Sequence, residues 1–137
     1  MLKRALGIAI LSAALIGTSM AQERISITSE WGTVEAVLSD NEATKALVEL
    51  LPLVIGMRDH LRQEKTGYLP SPLPEIKRQT GFSKGMLGLW NSTHFVIYYS
   101  DGQVPQPGII DLGRITGDVS IFDRPGPVTI RIERGSK

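Results

Sequence analysis

The chain has 137 residues, 42% hydrophobic and 21% charged, which excludes intrinsic disorder and allows one domain, not two. The absence of cysteine excludes a disulfide framework, a thiolate metal site and a cysteine nucleophile. The formal net charge is +1 and the basic residues are scattered, Lys77-Arg78 being one pair, so there is no basic stripe for a nucleic acid.

The first element is a leader. Lys3-Arg4 precedes an apolar run from Ala5 to Gly17, and Ser19-Met20-Ala21 follows as an A-x-A-like cleavage site. As a helix the run spans about 20 Å, short of the roughly 30 Å hydrocarbon core. Residues 1–21 are therefore expected to be a signal peptide and residues 22–137 one exported domain, periplasmic or secreted and free of the membrane after cleavage. Without Lys3 and Arg4, the remainder holds 13 basic against 14 acidic residues.

Alternation predicts strands over Ile25–Thr28 and Thr33–Leu38, joined by a turn at Ser29-Glu30-Trp31-Gly32. Trp31 at that tip is either a binding anchor or a lid folded over the sheet end. Ser39 and Glu42 fit a capping box, and Ala43, Ala46, Leu47, Leu50 and Leu51 form one helical stripe that Pro52 ends. A buried strand is expected at Leu53–Met57. From Arg58 to Gln79 the pattern breaks: a polar stretch to Lys65, then Pro70, Pro72 and Pro74 in an extended connector. Such long ordered loops are often functional. Strands are then expected at Met86–Trp90, His94–Tyr99, Ile109–Ile115, Val119–Phe122 and Val128–Ile132. In His94–Tyr99, Phe95, Ile97 and Tyr99 share one face, His94, Val96 and Tyr98 the other; both are largely apolar, which suits a central strand. The sum is a mainly β fold, a closed barrel of about eight strands with one flanking helix.

Several residues carry a further resemblance: Leu50-Leu51-Pro52-Leu53 after the helix, Glu64-Lys65-Thr66-Gly67-Tyr68-Leu69-Pro70, Gly85 to Trp90, Phe95-Val96-Ile97-Tyr98-Tyr99 and Leu112-Gly113-Arg114-Ile115. Over about Ile25 to Glu133 the chain resembles the small bacterial cyclophilin-like proteins. That resemblance implies the barrel of the peptidyl-prolyl isomerases in a smaller form, mostly without assigned activity. No Phe-x-Arg motif lies within an expected strand, and the Gln-x-Gly-Gly-Asp run of true cyclophilins is not found. Where relatives often carry Asp after the glycine at Gly85, this chain has Met86.

The chemistry on offer is sparse. His60 and His94 are the only histidines, and Asp59-His60 is the only local pair of metal-ligand type, so neither metal nor cofactor is expected. No Gly-x-Ser-x-Gly is present, and a meeting of Asp59 with Glu64 is the one carboxylate pair to weigh. The expected function is non-catalytic: binding a small ligand or extended peptide in the groove that the family's isomerases use for proline. The candidate residues are Arg58, Glu64, Lys65, Tyr68, Trp90, Tyr99 and Arg114. Aromatics would supply apolar area, charged residues orientation. For the same residues the plain alternative is structural, with Tyr68 and Trp90 plugging barrel ends, Glu64-Lys65 paired at the surface and Arg114 in an ion pair closing the sheet. Two other functions stand beside binding: a divergent prolyl isomerase in which Arg58 or Arg114 supplies the guanidinium, and a structural part of an envelope assembly. An arginine aimed into the pocket beside a glutamine would favour the isomerase.

Overall fold

A computed structural model describes residues 22–135. The expected signal peptide, residues 1–21, lies outside the described residues, and no described helix is long and apolar enough to cross a membrane. Eight strands close a barrel: β1 (Arg24–Ser29), β2 (Gly32–Leu38), β3 (Leu53–His60), β4 (Glu64–Tyr68), β6 (Met86–Trp90), β7 (His94–Tyr98), β9 (Ile110–Ile115) and β10 (Val128–Arg134). Around the barrel they run β1-β10-β3-β4-β7-β6-β9-β2, and each neighbouring pair is antiparallel. Closure leaves the main sheet no free edge. A two-stranded ribbon, β5 (Gly81–Phe82) with β8 (Gly102–Gln103), lies outside it.

Alternation fills the interior. Ile25 and Ile27, Ile55 and Met57, Phe95 and Ile97, and Ile130 and Ile132 all point inward and are buried. Burying each such side chain stabilises the fold by roughly 1.5–3 kcal/mol. β7 is apolar on both faces, as expected: its outer residues Val96 and Tyr98 join Phe82, Met86 and Ile109 in a second cluster outside the barrel. There the Phe82 and Tyr98 rings stack with centroids 4.0 Å apart.

Three expectations are corrected. The helix α1 is Glu42–Glu49, and its cap is Asn41, not Ser39: Thr44 N–H donates to Asn41 Oδ1 at 2.9 Å and Asn41 N–H to Thr44 Oγ1 at 3.3 Å. Ser39 is still tied to the sheet, its N–H donating to the Leu112 carbonyl at 3.0 Å, so its hydroxyl turns to Asp111 instead. Val119–Phe122 is a 3-10 turn rather than a strand, burying Val119 and Phe122 three residues apart. The largest difference is in Arg58–Tyr68, which is a hairpin and not a loop: β3 continues to His60, and β4 pairs with both β3 and β7.

The proline-rich connector is held by Arg78. Its guanidinium donates to both Glu75 oxygens, at 2.6 and 2.8 Å, and to the carbonyls of Gly108 and Asn91. That bidentate geometry fixes residues 75–78 against the turn after β6.

Candidate functional site

The β3–β4 hairpin sends its side chains alternately into the barrel and out of it. Asp59 and Lys65 face inward; Arg58, His60, Glu64 and Thr66 face outward. On the outer face they meet His94 and Tyr98 of β7 and Trp90 of β6 around one concavity of about 410 Å³, with Gln103, Val104 and Pro105 as the far wall. That volume lies within the range of small-ligand clefts.

The floor is unusual. Glu64 is only 7% exposed, yet its hydrogen bond is from Gln63 Nε2, at 2.8 Å, and no lysine or arginine among the described residues lies within ion-pair distance. Burial pushes its carboxyl above the usual range, and the Gln63 hydrogen bond and the charges of His60 and Arg58 do not cancel that push. Beside it, burial and the Glu64 charge raise the Tyr98 phenol well above its ordinary value, so it stays a neutral donor. Burial, aided by the Arg58 charge, pushes His94 down, so its imidazole is neutral at pH 7. Arg58 is exposed on the rim and forms no hydrogen bond among the described residues. The groove thus offers an available guanidinium and an available carboxylate, separated, between aromatic walls.

The seven residues singled out in the sequence divide. Arg58, Glu64 and Trp90 line the groove. Tyr68 does not plug a barrel end: it is 64% exposed and lies against His94, ring centroids 4.3 Å apart, so it extends the groove's outer face. Arg114 lies elsewhere, beside a hollow shared with Ser83 and Met86, and donates to Ser83 Oγ at 3.2 Å rather than closing the sheet through an ion pair. Lys65 and Tyr99 face the interior.

Those last two belong to a polar plug at one barrel end. Lys65 is fully buried; its Nζ donates to Asp59 Oδ1 and to the Gly126 carbonyl, each at 2.9 Å, and to the Arg124 carbonyl. The ammonium also lies 5.1 Å from the centre of the Trp31 ring, which packs edge-on against Phe122. Trp31 therefore closes the sheet end rather than standing out as an anchor. Tyr99 donates to Asp59 at 2.5 Å and accepts from Arg62 Nη1 at 2.6 Å, and Arg62 also reaches Asp123. Asp59 and Glu64 point to opposite sides of the hairpin and do not form the carboxylate pair weighed above. Among the described residues no group of three or more His, Asp or Glu is placed to hold a metal.

Burial alone would raise the Asp59 carboxyl, but the hydrogen bonds from Tyr99 and Lys65 and the charges of Lys65 and Arg62 hold it below its ordinary value. A depressed folded-state value means stability that is present above the unfolded value and lost as pH falls through the folded one. Urea titrations from pH 7 to pH 2 are expected to show an acid-side loss of stability that is shallower in Asp59→Asn. Parallel profiles would contradict the assignment.

Sequence reasoning missed His60, Gln63, Thr66, His94, Tyr98 and the Gln103–Pro105 wall. The shared outer face of His94 and Tyr98 was visible in the strand pattern; His60, Gln63 and Thr66 needed the β3–β4 hairpin to be recognised, and the Gln103–Pro105 wall the β5–β8 ribbon.

A family model described as "Cyclophilin-like family" matches residues 27–133. No curated protein matches the chain. Among solved structures, a hypothetical protein from Archaeoglobus fulgidus is similar with a TM-score of 0.68 at 14% identity, covering 88% of this chain and 100% of that one. A cyclophilin-type peptidyl-prolyl cis-trans isomerase of Cryptosporidium parvum is similar with a TM-score of 0.57 at 15% identity, covering 85% of this chain and 99% of that one.

Proposed function

Because the chain belongs to the cyclophilin-like family, we propose that its outer groove is a non-catalytic binding site for an extended peptide or a small ligand, in a protein exported by way of residues 1–21. One observation carries this reading: the unpaired Arg58 and Glu64 line the same concavity as Trp90 and Tyr98. A site that served stability alone would pair those charges with each other or leave them in water. An extended peptide presents alternating carbonyl acceptors and N–H donors, which Arg58 and Glu64 complement. N-terminal sequencing of the exported protein would test the leader, with Gln22 the expected first residue.

A second reading has its own observation. Arg58 and Gln63 line the same groove, and the fold is also that of a prolyl isomerase. An isomerase must lower a barrier of about 18–20 kcal/mol with a donor aimed at the twisting amide. A protease-coupled assay on proline peptides, run beside a binding titration, separates the two. The expected result is peptide binding weakened about tenfold by Arg58→Ala, the order of one charge-assisted hydrogen bond, with no acceleration of isomerisation. Acceleration that disappears in Arg58→Ala would replace the binding reading with the catalytic one. The envelope-assembly role has no structural observation in its favour; a stoichiometric partner pulled down from the exported fraction would be its support.

A further inference from the structure

From the floor of the groove we infer a ligand class: an organic cation on an apolar stem, with Glu64 as its counter-ion. The inference rests on the binding reading above and narrows it. Glu64 is more than nine-tenths buried, and its hydrogen bond from Gln63 reaches Oε1 alone. Oε2 has no protein partner, and it is not among the sealed polar atoms of the described residues, so it opens to the groove. A carboxylate taken out of water without a cation is disfavoured, and a ligand ammonium or guanidinium would offset that. Arg58 does not fill this role. It stands opposite Thr66 in the strand register, a diagonal neighbour of Glu64. That is within a long side chain's reach, yet its guanidinium stays on the rim. Directly opposite Glu64 are His60 on β3 and Tyr98 on β7.

The walls suit the stem. Trp90, Tyr98, Val104 and Pro105 give the groove an apolar flank, and an aromatic face attracts a cation as well as its methylenes. The same chemistry is offered by a lysine or arginine side chain of an extended peptide and by a free alkylamine.

The test uses the whole exported domain and three probes: a pentapeptide with a central lysine, its norleucine counterpart, and n-butylamine. At pH 8 the lysine peptide is expected to bind about tenfold more tightly than the norleucine peptide, the order of a charge-assisted bond. In Glu64→Gln, which keeps the shape and the Gln63 contact, that ratio is expected to fall to about one. Butylamine displacing the lysine peptide would identify the free amine as sufficient; displacement only by peptide would identify a side chain. In the wild-type protein, which needs no substitution, the lysine preference should fade as pH drops and the carboxylate takes up a proton. The charged and titratable groups that share the groove with Glu64 are Arg58, His60, His94 and Tyr98, with the Asp59 charge behind the strand. The pH scan is repeated in Glu64→Gln, where any pH dependence that remains belongs to groups other than Glu64. Equal binding of the lysine and norleucine peptides to the wild type would overturn the inference and leave the groove reading standing. Failure of every probe to bind would overturn both.

Discussion

Replacing Lys65 with methionine is expected to destabilise the fold by about 3–5 kcal/mol, because it breaks a buried ion pair and takes from Asp59 and two backbone carbonyls the donor they share. Lys65 has no exposed surface and is the donor shared by Asp59 and the carbonyls of Arg124 and Gly126. Methionine nearly matches the stem's volume, so the loss isolates the ammonium rather than a cavity. Urea unfolding at pH 7 measures it. The double variant with Asp59→Asn is expected to lose less than the two single losses added, because the two groups are in direct contact. A Lys65→Met loss below about 1 kcal/mol would put this pair in the class of exposed ion pairs and contradict its role as the plug of the barrel end.

Gly67→Ala is the second large effect, expected at about 3 kcal/mol, the upper range for overpacking. Gly67 sits on β4 opposite Phe95 of β7. A Cβ there would lie 2.6 Å from the Gly56 carbonyl oxygen, the Ile55 Cγ2 and the Met57 Sδ. No side-chain rotation clears the backbone oxygen, so β3 and β4 would have to move apart, and the groove's Arg58 and Glu64 would move with them. The expected readout is a lower urea midpoint together with weaker peptide binding. A midpoint within experimental scatter of the wild type would mean that β3 and β4 approach less closely than described.

The barrel and the two-faced strand β7 were legible because Ile25, Ile27, Phe95, Ile97, Ile130 and Ile132 keep strict alternation around apolar interiors, and the helix α1 because of its apolar stripe. The hairpin that builds the site was not legible. Its inward face carries Asp59 and Lys65, and its outward face carries Arg58, His60, Glu64 and Thr66. Neither face gives a hydrophobic signal, so a pair of strands looked like a solvated loop. Polar residues on both sides of a strand make sense only once the interior plug and the exterior groove are seen together. The helix cap was misplaced for a related reason: Ser39 has the right chemistry, but its backbone is still engaged with β9. Val119–Phe122, expected as a strand, buries Val119 and Phe122 three residues apart, the spacing of one 3-10 turn. Of the candidate site residues, Arg58, Glu64 and Trp90 come together at the groove, whereas Lys65 goes inside with Asp59, and Tyr99 because it follows Phe95 and Ile97 on the inner face.

The central claim is that the outer face of β3, β4, β6 and β7 holds a ligand without turning it over. Amide-resolved NMR titration of the domain with the lysine pentapeptide, extended by one proline, tests both halves at once. Saturable shifts are expected, grouped at residues 58–66, 90–98 and 103–105, with the peptide's cis and trans signals exchanging no faster than in buffer. Shifts gathered instead around Arg114 and Ser83, or catalysed exchange between the two proline isomers, would contradict it.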